Sequence, residues 1–212
     1  MPAVPPPWHP ESFARRRPNL AVRGRVLGAL RRFFEENAFV EVDTPALQVS
    51  PGMEPHLQAF ATDLQGPHPD DRRRLYLHTS PEFAMKKLLV AGVPRLYQIA
   101  HVYRNGERSG THSPEFSMLE WYRAGEGYRA LIQDCEDLVR AAAVAAGRNV
   151  FHFRGMACDP FKPWRVLSVQ DAFLEYAGID LLATFDGSHD PDPAPLAAMA
   201  RMLDCLAPGG AL

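Results

Sequence analysis

Apolar residues recur at Val22, Val26, Leu30 and Phe33/Phe34. That helical spacing predicts a helix from Asn19, a candidate N-cap, to about Asn37. Residues 1–18 are rich in proline and carry the run RRRP at 15–18, which reads as an extended arm outside any core. Residues 39–45, FVEVDTP, read as a short strand stopped by Pro45. Segments 46–56 and 63–74 read as loops around a short strand at 56–61, with another strand at 75–77. Thr79, Ser80, Pro81 and Glu82 then supply a capping hydroxyl, a first-turn proline and a first-turn acid for a helix that Gly92 ends. Residues 95–104 and 115–123 alternate as two β-strands. The polar stretch between them is longer than a hairpin turn of about 2–5 residues, so it reads as a working loop. A helix follows at 128–146, closed by Gly147, and then an irregular stretch with short strands near 150–153 and 165–167. Ser168 and Asp171 cap a helix at 168–176, and a last helix at 195–206 follows an Asp/Pro-rich linker, 186–195. Without βαβ alternation the chain reads as α+β with an antiparallel sheet.

Composition changes this picture little. The 212 residues carry 23 basic and 25 acidic side chains, a net charge of −2, which advertises neither a polyanion-binding surface nor an acidic tail. All but Lys86, Lys87 and Lys162 of the basic residues are arginine. Three scattered cysteines, Cys135, Cys158 and Cys205, make no CxxC pair, which predicts a cytoplasmic chain with reduced thiols. No apolar run approaches the roughly 18 residues that span a membrane. P-loop, GxGxxG, GxSxG and HExxH signatures are all missing, and the histidines suggest no metal site.

The two long strands carry the candidate chemistry. By alternation Gln98 and Arg104 share one face of the first, and Met118, Glu120 and Tyr122 share one face of the second. Two readings stay open: these groups line a cavity for a small charged molecule, or Glu120 and Arg104 pair or face solvent. The loop adds Glu107, Arg108 and His112, followed by Phe116. Arginine and histidine suit phosphate oxygens, an aromatic ring suits a base, and a carboxylate suits the adenine amino group. The same residues would also make an ordinary solvated loop. Glu82 and its neighbours explain themselves as a helix start, and the carboxylate could in addition receive a substrate ammonium.

Residues 39–45, FVEVDTP, resemble motif 1 of the class II aminoacyl-tRNA synthetases. YRNGE at 103–107 and HSPEFSMLEWY at 112–122 resemble their motif 2. HTSPEF at 78–83 and the second half of motif 2 are similar to the lysyl-tRNA synthetase group. MKKLLVAG at 85–92 and LEWYR at 119–123 are most similar to its stand-alone paralogues, the elongation factor P lysyltransferases. The resemblance covers residues 19–180 and implies an ATP-dependent ligase. Such an enzyme activates lysine or (R)-β-lysine as an aminoacyl-adenylate and passes it to a lysine of elongation factor P. It further implies Arg104 on the α-phosphate as the catalytic residue. Arg104, Asn105, Glu107, His112, Ser113 and Phe116 would hold ATP, and Ser80, Pro81, Glu82, Glu120 and Tyr122 would line the amino-acid pocket. Mg²⁺ and a motif 1 homodimer are family expectations. Gly106 stands where the usual motif 2 acid would be, so Glu107 is the expected substitute. Nothing after residue 180 resembles motif 3 or the acids that hold Mg²⁺. The chain is therefore expected to be a 1–18 arm followed by a C-terminally incomplete catalytic domain, 19–212, with low activity by itself. With no anticodon-binding module ahead of residue 19, tRNA is not the expected acceptor. A degraded lysyl-tRNA synthetase and a non-catalytic binding remnant remain the alternatives.

Overall fold

The computed structural model describes residues 6, 8–68, 70–185, 187 and 194–202. They fall into two compact units that meet at Phe161/Lys162.

The first unit opens with helix α1, Pro10–Glu36. This corrects the extended reading of residues 10–18. Pro10 sits in the first turn, where its missing N–H costs nothing, and the following residues are mostly adequate helix formers. Pro18 lies inside the helix and forfeits one backbone bond, a cost the flanking turns absorb. At the far end Asn37 donates from Nδ2 to the Phe33 carbonyl (2.8 Å). Ala38 takes a left-handed turn (φ 60°), and the Phe39 N–H returns to the Phe34 carbonyl (2.9 Å). That reversal folds Phe39 back onto Phe34.

The two long strands form as the alternation predicts: β5, Arg95–Tyr103, pairs antiparallel with β6, Glu115–Arg123. Strand β1, Val40–Glu41, completes their sheet but runs parallel to β5, a departure from an all-antiparallel sheet. Parallel neighbours need a long crossover, and the chain between β1 and β5 provides it. That crossover holds a second sheet, ordered β2 (Leu47–Gln48), β4 (Arg72–Leu77) and β3 (Ala61–Gln65), and then helix α2, Glu82–Val90. Strand β3 and the start of β4 occupy half of the expected 63–74 loop. Every residue of β3 is exposed, so it has no apolar alternation to betray it. It is held by the ladder to β4 and by an Asp63–Arg74 ion pair (2.8 Å).

Helix α3, Tyr128–Ala146, lies beside α1, and together they cover one face of the β5–β6 hairpin. Phe34 is fully buried there, stacked on Tyr97 at 4.2 Å and edge-on to Phe39 at 5.0 Å. Leu138 closes the core, with Ile99, Leu119 and Trp121 packed around it. The residues of the opposite face pair as Gln98–Glu120, Ala100–Met118 and Val102–Phe116. Since the helices take only the first face, the polar set is left free of that core. Strands β7, Phe151–Phe153, and β8, Met156–Cys158, form a small hairpin that ends the unit's regular structure.

In the second unit, helix α4 spans Val169–Ala177. The Ser168 hydroxyl accepts the Asp171 N–H (3.0 Å), and left-handed Gly178 (φ 68°) ends the helix, as read from the sequence. The strand expected at 165–167 is not formed; Arg165 instead pairs with Glu175. Helix α5 is described over Ala194–Met202. The remainder of the helix expected to 206, and most of the 186–195 linker, lie outside the described residues.

Candidate functional site

Two segments build the site: the β4–α2 junction and the free face of β5–β6. The Ser80 hydroxyl accepts the Glu82 N–H (3.1 Å), a local bond that starts α2 with Pro81 buried at its N-cap. The same hydroxyl donates to Glu120 Oε1 across to β6. The Tyr122 hydroxyl donates to Glu120 Oε2 (2.9 Å), so both carboxylate oxygens are oriented. Burial first, and then the Glu120 charge, push the Tyr122 phenol well above its ordinary pKa and keep it a donor. Glu82 faces the same region from the first turn of α2 and pairs with Lys86 one turn on. The Lys86 Nζ stands 6.0 Å above the Tyr122 ring. A cavity of about 450 Å³ is lined by Glu82, Glu120 and Tyr122, with Leu119, Trp121, Leu131 and Cys135 as its apolar wall. A cavity of similar size, about 480 Å³, lies along another part of α2 against Val49, Phe83 and Val90, but no carboxylate lines it.

The other half of the site begins at Arg104, just past β5. Its Nε donates to the Thr79 carbonyl (3.3 Å), and its guanidinium lies 5.3 Å from the centre of the Phe116 ring. Backbone bonds frame the 104–114 loop: Arg104 N–H to Pro114 O (2.9 Å) and Asn105 N–H to Gln58 O (2.7 Å). Gly106 has φ +83°, which an L side chain rarely adopts, and the turn it permits brings Glu107 within 4.0 Å of Arg104. His112 and Ser113 remain exposed. The imidazole Nδ1 of His112 bonds to the Ser109 and Thr111 hydroxyls (2.8 and 3.1 Å) within the loop itself.

Ser80, Glu82, Glu120 and Tyr122 therefore come together, as do Arg104, Glu107 and Phe116. Asn105, His112 and Ser113 lie on the loop beyond the second group. The alternative pairing of Arg104 with Glu120 is not formed, since Ser80 and Tyr122 take the carboxylate. Gln98 shares the Glu120 face but is spent internally, its Oε1 accepting the Thr44 hydroxyl (2.9 Å) and N–H (3.3 Å). Two contributors escaped the sequence reading. Lys86 was detectable from its i,i+4 spacing to Glu82. Thr79 was not, because it acts through its main-chain carbonyl. Among the described residues no cluster of three His, Cys, Asp or Glu side chains could hold a metal ion, and no helix is long and apolar enough to cross a membrane.

Residues 13–194 match the family model described as tRNA synthetases class II (D, K and N). Among curated proteins the chain is 34% identical to an elongation factor P–(R)-β-lysine ligase of Actinobacillus succinogenes, over 83% of this chain and 49% of that protein. It is 36% identical to the protein of the same name from Pasteurella multocida, over the same shares. To that of Vibrio parahaemolyticus it is 41% identical, over 63% of this chain and 40% of the relative. The chain thus spans about half the length of the curated relatives it matches. With residues 13–194, most of its length, in the family match, the chain belongs to the class II tRNA synthetases of the D, K and N group.

Proposed function

We propose that this chain carries the amino-acid and nucleotide half-sites of an ATP-dependent ligase acting on lysine or (R)-β-lysine, with a lysine of elongation factor P as the acceptor. The observation that carries this reading is the joint at residues 79 and 80. Thr79 holds Arg104 through its carbonyl, and Ser80 holds Glu120 through its hydroxyl, so one rigid segment sets both halves. Two carboxylates, Glu82 and Glu120, in one cavity suit a ligand with ammonium groups. The identity of the acceptor, and β-lysine as a substrate, come from the relatives' names.

In the proposed reaction a carboxylate oxygen of the amino acid attacks the α-phosphorus of ATP. The bond from that phosphorus to the bridging oxygen breaks, and pyrophosphate leaves. The ε-amine of the acceptor lysine then attacks the acyl carbon, AMP departs, and the amine loses a proton. Such chemistry depends on alignment and compensation of charge more than on proton transfer. In this reading Arg104 bonds both the α-phosphate and the incoming carboxylate. Phe116 stacks on adenine, Glu107 receives its amino hydrogens, and Asn105, His112 and Ser113 guide the phosphates along the loop. The Tyr122 donor aims Glu120 at the substrate ammonium, with Ser80, Pro81 and Glu82 shaping the rest of the pocket. The described residues offer Mg²⁺ no ligand cluster, so no step is assigned to it.

Calorimetry with ATP and with a lysyl-sulfamoyl-adenylate tests the reading. Both ligands should bind, and Arg104→Ala should weaken ATP by about 1.5–3 kcal/mol, the scale of a charge-assisted bond. Unchanged ATP affinity would sink the role of Arg104. Pyrophosphate exchange with lysine against β-lysine selects the substrate, and charging of tRNA(Lys) would move the acceptor from protein to tRNA.

A further inference from the structure

The joint at residues 79 and 80 is itself held by the residue before it. His78 is only 2% exposed and is tied by three bonds. Its N–H donates to the Ala46 carbonyl (2.9 Å), and its own carbonyl accepts the Tyr103 N–H (3.1 Å). Its imidazole Nε2 lies 2.8 Å from the His101 carbonyl. A carbonyl oxygen only accepts, so Nε2 carries the proton and Nδ1 bears the lone pair. That Nδ1 is buried without a hydrogen-bond partner. The side chain is therefore used at one end only, as a single donor that fastens the β4–α2 junction to β5.

We propose that His78 is a positioning residue that locks the amino-acid and nucleotide half-sites into one geometry; this rests on the function proposed above. The next two residues are the ones that reach across. Thr79 carries the carbonyl that receives Arg104, and Ser80 carries the hydroxyl that orients Glu120. If the Nε2 bond is lost, the Tyr103 N–H to His78 carbonyl bond is all that His78 keeps to β5, and both contacts loosen together. Among the described residues no hydrogen bond or ion pair joins His78 to Arg104 or Glu120, so its influence is transmitted through the main chain.

The unused Nδ1 makes the idea testable. Glutamine places its Nε2 donor the same number of bonds from Cα as the histidine Nε2. Asparagine places its donor one bond short, near the idle Nδ1 position. His78→Gln should keep ATP and lysyl-sulfamoyl-adenylate affinities within about threefold of the parent chain. His78→Asn should weaken both ligands at least tenfold, with a cooperative thermal transition retained. In the His78→Asn background, Arg104→Ala should add little to the ATP defect, because Arg104 has already lost its anchor. ¹⁵N spectra of the imidazole should show the Nε2–H tautomer.

Three outcomes would overturn the proposal: parental affinity in His78→Asn, loss of only one ligand, or equal weakening by both substitutions. If the parent chain binds neither ligand, the functional reading fails instead. Amide exchange at Glu82 and side-chain exchange at Arg104 Nε–H then decide the positioning role by themselves. Faster exchange at both in His78→Asn, restored in His78→Gln, supports it, and unchanged exchange overturns it.

Discussion

Removing the Asp134 carboxylate should cost this protein more stability than its loss of contact area alone would explain. Asp134 sits on α3, is only 3% exposed, and accepts three bonds from β6. These come from Trp121 Nε1 (3.0 Å), Arg123 Nε (2.8 Å) and Arg123 Nη2 (2.7 Å). Arg123 is nearly buried, lies 4.8 Å over the Phe39 ring, and is held strongly protonated by its bonds to Asp134 and then Glu126. Asp134→Ala strands that guanidinium with Glu126 alone and leaves the indole N–H without its acceptor. Breaking a buried pair from one side costs about 3–5 kcal/mol. For a chain of this size each kcal/mol moves Tm by about 2–4 °C, so the transition should fall by roughly 6–20 °C. The companion variant Arg123→Met buries an unpaired carboxylate and should cost a similar amount. In the double variant Asp134→Ala/Arg123→Met neither charge of the pair remains, and only the indole N–H stays unsatisfied, at about 1–3 kcal/mol. Urea denaturation of the cycle should therefore give a coupling energy of at least about 2 kcal/mol. A cost below about 1 kcal/mol for Asp134→Ala, or additivity within about 0.5 kcal/mol, would refute the argument.

Other consequences follow from single contacts. Glu120→Gln removes the charge that Ser80 and Tyr122 orient, and should weaken lysyl-sulfamoyl-adenylate by about 10–100-fold, a charge-assisted bond, while ATP binding holds; an equal loss of both ligands would contradict the division of the site. Tyr97 is raised to about 12 by burial first and by its bond to Glu41 second. Its folded pKa exceeds the unfolded value of 10, so its contribution to stability is intact below pH 10 and is lost as pH climbs to about 12. Tyr97→Phe should remove one late-titrating phenol from the 295 nm titration, and an unaltered curve would exclude this account. Ser168→Ala should destabilise α4 by about 1 kcal/mol and speed amide exchange at Asp171, whereas parental exchange there would deny the cap its role.

Much of the local structure was legible because local rules govern it. The hairpin strands, α3 and its glycine stop, and the Ser168 cap of α4 each follow from a pattern that needs no distant partner. The grouping of Glu120 with Tyr122, and of Arg104 with Phe116, was likewise accessible from alternation and motif spacing. Strand β3 was not, since all its residues are exposed and only the ladder to β4 orders it. The start of α1 is not legible, because a proline-rich run reads as an extended arm, although proline is neutral at the first turn and can be tolerated within a long helix.

The sequence by itself determined the residue types of the site, the strands and helix start that carry them, and the family to which the motifs point. Tertiary structure decided which of those residues meet. Helices α1 and α3 claim one face of the hairpin for Phe34 and Tyr97, and so leave Glu120 on the other. The β4–α2 junction then comes to rest against that free face, because His78 bonds to main-chain atoms of β5. Main-chain carbonyls have no side-chain signature, so neither the tie from Thr79 to Arg104 nor the anchor beneath it could be read from residue identity.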